Sequence, residues 1–189
     1  CRISPTQAAH VEEELGDAVD LILDGGACQV GVESTIVDLS GNRPKLLRPG
    51  HITRLESEAV LQTELIIVSP QSEQTNQQEV RAPGMMAVHY APSTMAMLCP
   101  ADRLTEIIQE LTLREKRIGI LAYNLDQAEN RLTRVIRMPE QAEDYAQALY
   151  TSLRELDSLQ LDMILVEKPP NTEAWQAIND RLCKATSAF

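Results

Sequence analysis

The 189 residues carry 17 Lys and Arg against 28 Asp and Glu, a formal net charge of -11, with 43% apolar and only 3% aromatic side chains. Such a surface repels phosphate backbones, so direct nucleic-acid binding by this chain is not expected. No apolar run approaches the roughly 18 residues of a membrane-spanning helix, and the four scattered cysteines, Cys1, Cys28, Cys99 and Cys183, suggest neither a zinc site nor a disulfide framework.

The chain opens on Cys1 without a Met and without a basic-then-apolar leader, and it reads as cut from something longer; an acidic, soluble, cytoplasmic protein is expected. In "SPTQAAHVEEELG", Ser4 or Thr6 suits a helix cap, Pro5 a first turn and Gly16 a stop. "VDLILDGG" has the apolar content of a short strand. "STIVDLS" and "KLLRPG" read as two more, joined by the turn "GNRP", and "TRLESEAVLQ" as a helix led by Thr53. Residues 69–84, "SPQSEQTNQQEVRAPG", have a linker composition, yet "MMAVHYAPST" turns apolar again, as a strap that packs on something would.

From Met95 onward strands and helices alternate. "MAMLC", "KRIGILAY", "TRVIRMP" and "LDMILVEK" read as strands, and "ADRLTEIIQELTL", "EQAEDYAQALYTSLRELDSL" and "TEAWQAINDRLCKA" as helices. Leu104, Ile107, Ile108 and Leu111 share one helical face. So do Ala142, Tyr145, Ala146, Leu149, Tyr150, Leu153 and Leu156. This pattern predicts a Rossmann-like, mostly parallel α/β domain. After Gly84 the chain has a single glycine, Gly119, so no phosphate loop is expected there.

Three positions invite chemistry. Ser34 follows a glycine turn in Gly31-Val32-Glu33-Ser34-Thr35 and fails the G-x-S-x-G pattern of a hydrolase elbow; its hydroxyl suits either local backbone or a polar ligand. Arg48 stands at a strand end beside Pro49 and Gly50, suited to an oxyanion or to a surface ion pair. Tyr90 lies in the strap, either as packing or against a nucleotide, with His89 expected to be structural. His10, His51 and His89 are dispersed without metal-ligand spacing.

The stretches "RISPTQAAHV", "VDLILDGG", "GVESTIVDLS" and "KLLRPGHIT" resemble, in that order, the later half of a YrdC-like α/β catalytic domain. "RAPGMMAVHYAP" resembles the linker of the long, two-domain threonylcarbamoyl-AMP synthases, and "YAQALYTSLRELDSLQLDMILVEK" with "WQAINDRLCKA" looks like the end of their C-terminal domain. The organisation implied is a C-terminal part of the catalytic domain at residues 1–62, a linker strap at 63–94 and the Rossmann-like domain at 95–189. The resemblance implies condensation of L-threonine, bicarbonate and ATP to L-threonylcarbamoyl-adenylate with release of pyrophosphate, Mg²⁺ accompanying ATP, and downstream tRNA-modification partners that use the product on a tRNA adenosine. It implies ATP contacts at Ser4, Arg48 and Tyr90 and a threonine contact at Ser34, with Ser34 and Arg48 lining one hollow under the Tyr90 segment. No catalytic residue is assigned.

The family's Lys/Arg signature and Ser-x-Asn segment would precede "RISPT", so this piece alone is expected to be inactive. Ala87 and Val88 also stand where many relatives carry an aromatic and an arginine. Two rival readings are a non-enzymatic RNA-binding or translation-associated module, for which "LTLREKR" is the one basic stretch, and a regulatory ligand-binding domain.

Overall fold

The structure is a computed structural model that describes residues 2–68 and 89–188. It is α/β throughout, with a Rossmann-like parallel sheet as its larger part. The expected linker composition at 69–84, and Met85 to Val88 of the strap, lie outside the described residues.

The first unit begins with helix α1, Ala8–Leu15. Gly16 ends it in a left-handed conformation (φ 45°), its N–H reaching the Glu12 carbonyl, as the sequence suggested. The start differs. Gln7 takes the cap position without a side-chain bond, the Ser4 hydroxyl being committed to Glu33 and the Thr6 hydroxyl turned toward His10 Nδ1 and the Thr151 hydroxyl, 3.4 Å from each. The strand expected in "VDLILDGG" does not form: the segment pairs with no strand among the described residues, and Leu21 and Leu23 are exposed. Apolar content alone does not make a strand when the ladder lacks a partner.

Strands β1 (Ile36–Asp38) and β2 (Lys45–Arg48) form the expected antiparallel pair. Helix α2, Arg54–Leu61, follows with a complete capping box between Thr53 and Glu56. A two-residue strand β3 (Ile66–Ile67) then adds parallel to β2.

The second unit carries β4 (Ala96–Cys99), α3 (Ala101–Leu113), β5 (Ile118–Ala122), β6 (Thr133–Arg137), α4 (Ala142–Asp157), β7 (Met163–Glu167), α5 (Gln176–Ala185) and β8 (Ser187–Ala188). The strand order is β6-β5-β7-β4-β8, every pair parallel. Helix α3 covers one face, where Leu104, Ile107 and Ile108 meet Ile118, Ile120 and Leu165. On the other face, α4 and α5 pack on Leu121, Ile164 and Val166. Leu149, Leu153 and Leu156 of α4 are fully buried, each contributing about 1.5–3 kcal/mol by leaving water.

That second face also receives the first unit. Ile3, Val32 and Tyr90 join the core built by α4 and α5. Arg154 of α4 bonds the Ile3 carbonyl and Glu14, and Gln147 donates to the Cys28 carbonyl at 3.3 Å. No helix among the described residues is long and apolar enough to cross a membrane.

Candidate functional site

The antiparallel register sets Ile36 opposite Arg48, which brings the two residues preceding β1 alongside the end of β2. Arg48 is 6% exposed, so it is not a surface ion pair. Its Nε donates to the Ser34 carbonyl at 3.0 Å and its Nη2 lies 3.5 Å from Ser34 Oγ. Ser34 itself is exposed, leaving its hydroxyl open to a ligand. The approach depends on Gly50: a Cβ there would sit 2.3 Å from the Thr35 nitrogen. Thr35 fastens the same crossing from the other side, its hydroxyl donating to the Ile52 carbonyl at 2.6 Å.

Glu33, one residue before Ser34, is the hub of a polar network. Its carboxylate accepts from the Ser4 hydroxyl, from Tyr150 OH at 3.1 and 3.3 Å, and from Arg181 Nε at 2.7 Å. Burial works to raise its pKa, yet the Ser4 bond and the Arg181 bond and charge outweigh it, and Glu33 titrates below the ordinary carboxylate. The carboxylate therefore stays ionised at neutral pH and holds its donors in place. Burial, reinforced by the Glu33 charge, pushes the Tyr150 hydroxyl far up, so it remains a donor.

Tyr90 completes the cluster. It is 2% exposed and takes a left-handed backbone (φ 62°), unusual for an aromatic residue. Burial first, and then the Glu33 charge, raise the pKa of its hydroxyl, while the nearby Arg181 and Arg48 cations pull it the other way. Its ring lies against His89 (centroids 4.0 Å apart) and Tyr150 (5.9 Å). The His89 N–H donates to the Lys184 carbonyl at 3.1 Å, fixing this end of the strap to α5. His89 Nδ1 is buried and meets no hydrogen-bond partner among the described residues.

The four residues singled out from the sequence thus gather around one network, Ser34 and Tyr90 through Arg48 and Ser4 through Glu33. An open cleft of about 590 Å³ is lined by Ser4, Thr6, Cys28, Glu33 and Tyr150 among others, and Ser34, Arg48 and Tyr90 lie outside that lining. The glycine turn before Ser34 also seats this segment on the second unit. Gly31 (φ 77°) presses against the backbone of α4.

Glu33, Tyr150 and Arg181 were missed in the sequence. A signal existed for Arg181: it stands on the apolar face of α5, three residues after Ile178 and four before Ala185, where a charge needs a buried partner. Nothing local marked Glu33 as that partner, 148 residues away.

Chemically, the cluster offers a buried guanidinium, an exposed hydroxyl and a phenol, an arrangement able to orient an oxyanion and a small polar substrate. Among the described residues, no three His, Cys, Asp or Glu side chains gather as metal ligands.

Known proteins share this architecture. The family described as "Threonylcarbamoyl-AMP synthase, C-terminal domain" matches residues 52–187, and that described as "Telomere recombination" matches residues 2–50. A threonylcarbamoyl-AMP synthase of Bacillus subtilis is 35% identical over 96% of this chain, and one of Pyrococcus abyssi 33% identical over 97%. The crystal structure of P. abyssi Sua5 complexed with L-threonine superposes with a TM-score of 0.83 at 31% identity, over 98% of this chain and 54% of that one. The chain spans about half the length of the curated relatives it matches, 53% and 54%. In sequence and in fold alike, this chain belongs to the threonylcarbamoyl-AMP synthase family.

Proposed function

We propose that this chain forms part of an L-threonylcarbamoyladenylate synthase, a cytoplasmic nucleotidyltransferase that condenses L-threonine, bicarbonate and ATP and releases pyrophosphate. Its product would supply the threonylcarbamoyl group for a tRNA adenosine through downstream partners. The observation that carries the reading is the Arg48 guanidinium, buried between Ser34 and Tyr90, in a chain whose family and fold match a structure solved with L-threonine.

In this reading the Ser34 hydroxyl binds threonine, and Arg48, Tyr90 and Ser4 face ATP. Nucleotidyl transfer relies on alignment and on cations around the phosphates more than on covalent help from the protein. Arg48 supplies one fixed cation and, by gripping the Ser34 carbonyl, also sets where the serine hydroxyl points. Mg²⁺ accompanying ATP would supply further positive charge at the phosphates.

Pyrophosphate release by the full-length gene product tests the reading. It should require ATP, threonine and bicarbonate together, and Ser34→Ala should raise the threonine KM more than the ATP KM. ATP turnover indifferent to threonine would refute the assignment.

A further inference from the structure

Arg181 reaches, from the C-terminal domain, the segments that carry three of the four expected substrate contacts, and the fourth, Ser4, through Glu33. Its guanidinium is fully buried on α5. Nε donates to Glu33 Oε2 at 2.7 Å and Nη2 to the Glu33 carbonyl at 3.1 Å, so the residue before Ser34 is held by side chain and main chain at once. Nη1 donates to the carbonyl of Pro49, the residue after Arg48, at 2.8 Å, and to Asp180 Oδ2 at 2.8 Å. The centre of the same guanidinium lies 5.6 Å from the Tyr90 ring centroid. Ser4 is tied in through the Glu33 carboxylate, to which Tyr150 of α4 also donates.

Burying a guanidinium is costly, and apolar contacts such as those of Ile3 and Val32 already dock the first unit on α4 and α5. What the planar fork adds is direction: donors fixed in one plane set the separation of the two backbone segments they bridge.

We propose that Arg181, assisted by Tyr150, is a positioning residue. Through Glu33 and Pro49, the C-terminal domain uses it to hold the segments bearing Ser4, Ser34 and Arg48 at the spacing that binding of threonine and ATP requires. This rests on the reading that those side chains contact the two substrates. The C-terminal domain is then a structural part of the active site.

The test compares Arg181→Lys and Tyr150→Phe with the wild type in the full-length gene product, following kcat, the KM of threonine and of ATP, and Tm. Lysine keeps the charge but loses the fork, so Arg181→Lys should raise the threonine KM about tenfold or more. Phenylalanine keeps the ring and removes one donor, so Tyr150→Phe should raise it about threefold. Adding Tyr150→Phe to Glu33→Gln should cost little more than Glu33→Gln alone, because the hydroxyl acts through that carboxylate. Unchanged KM values, with losses confined to Tm or to the active fraction, overturn the positioning role. If Arg181→Lys does not fold, Tyr150→Phe decides by the same criterion. A wild type that releases no pyrophosphate in response to threonine overturns the reading of the site, and this proposal with it. An active wild type with KM-silent variants overturns the proposal alone.

Discussion

Gly31 lies so close to Gln147 that a Cβ added to the glycine would fall 2.3 Å from the Gln147 Cα, and 2.4 Å from the Ala146 carbonyl oxygen. The obstacle is helix backbone in α4, which cannot move aside as a flexible side chain would. Gly31 also adopts φ 77°, a region unfavourable to side chains. Gly31→Ala should therefore separate the first unit from α4 and destabilise the chain by at least about 2 kcal/mol, combining left-handed strain with overpacking. Urea denaturation of the wild type and variant checks this. A change under about 0.5 kcal/mol would mean that the contact relaxes without consequence.

Glu167 ends β7 beside the loop that follows β5. It is 2% exposed, and its Oε2 accepts three successive backbone N–H groups, from Tyr123, Asn124 and Leu125, at 2.7, 2.9 and 2.9 Å. A parallel sheet commonly presents ligand-binding amides at the carboxyl ends of its strands; here those amides are satisfied by the chain's own carboxylate. Glu167→Gln keeps the shape, removes the charge and sets an amide NH₂ near three donors. A loss of about 1–3 kcal/mol in thermal or urea unfolding is expected, and Glu167→Ala should lose more.

The strands and helices from Met95 onward were legible because their signal is local. Periodicity placed Leu104, Ile107 and Ile108 on one side of α3 and Tyr145, Leu149 and Leu153 on one side of α4, and burial follows that pattern. The first unit was less legible. In "VDLILDGG" the apolar residues promised a strand, but strand formation depends on a partner elsewhere in the chain. The short β3 and β8 had too few residues to show a period. Arg48 and Ser34 could be singled out from residue type and motif, and the β1–β2 register explains why they meet. The Glu33–Arg181 pair spans both units, so no window of sequence contains it.

Cysteine reactivity should divide by burial. Cys99 is fully buried, its thiol pushed up to about 11 by loss of solvent. Cys28 and Cys183 are exposed. Under native conditions at neutral pH, a maleimide should modify Cys28 and Cys183 while Cys99 reacts only as the sheet unfolds, as read by mass mapping of labelled peptides. Rapid native labelling of Cys99 would contradict the packing of β4 against α3.

His10 accepts the Thr6 N–H at Nδ1, 3.1 Å away, a bond that protonation of that nitrogen destroys. Burial first, and then the Arg154 charge, hold its pKa below 6.5, against the opposing pull of Glu13 and Glu14. Burial likewise lowers His89, with Glu33 opposing. Where folding depresses a histidine pKa, the unfolded chain binds more protons, so stability rises with pH. The contribution is complete above 6.5, the unfolded histidine value, and is lost as pH falls through 6.5 toward the folded values. Glu33, also lowered, adds a second loss below 4.5, its unfolded value, as its carboxylate is protonated and releases Arg181. Tm measured from about pH 8 down to about pH 3 should decline in two stages. His10→Gln, whose side-chain carbonyl can accept the Thr6 N–H at any pH, should shrink the first stage to the His89 contribution and leave the second. A first stage of unchanged size in that variant would show that the loss near pH 6.5 arises outside His10.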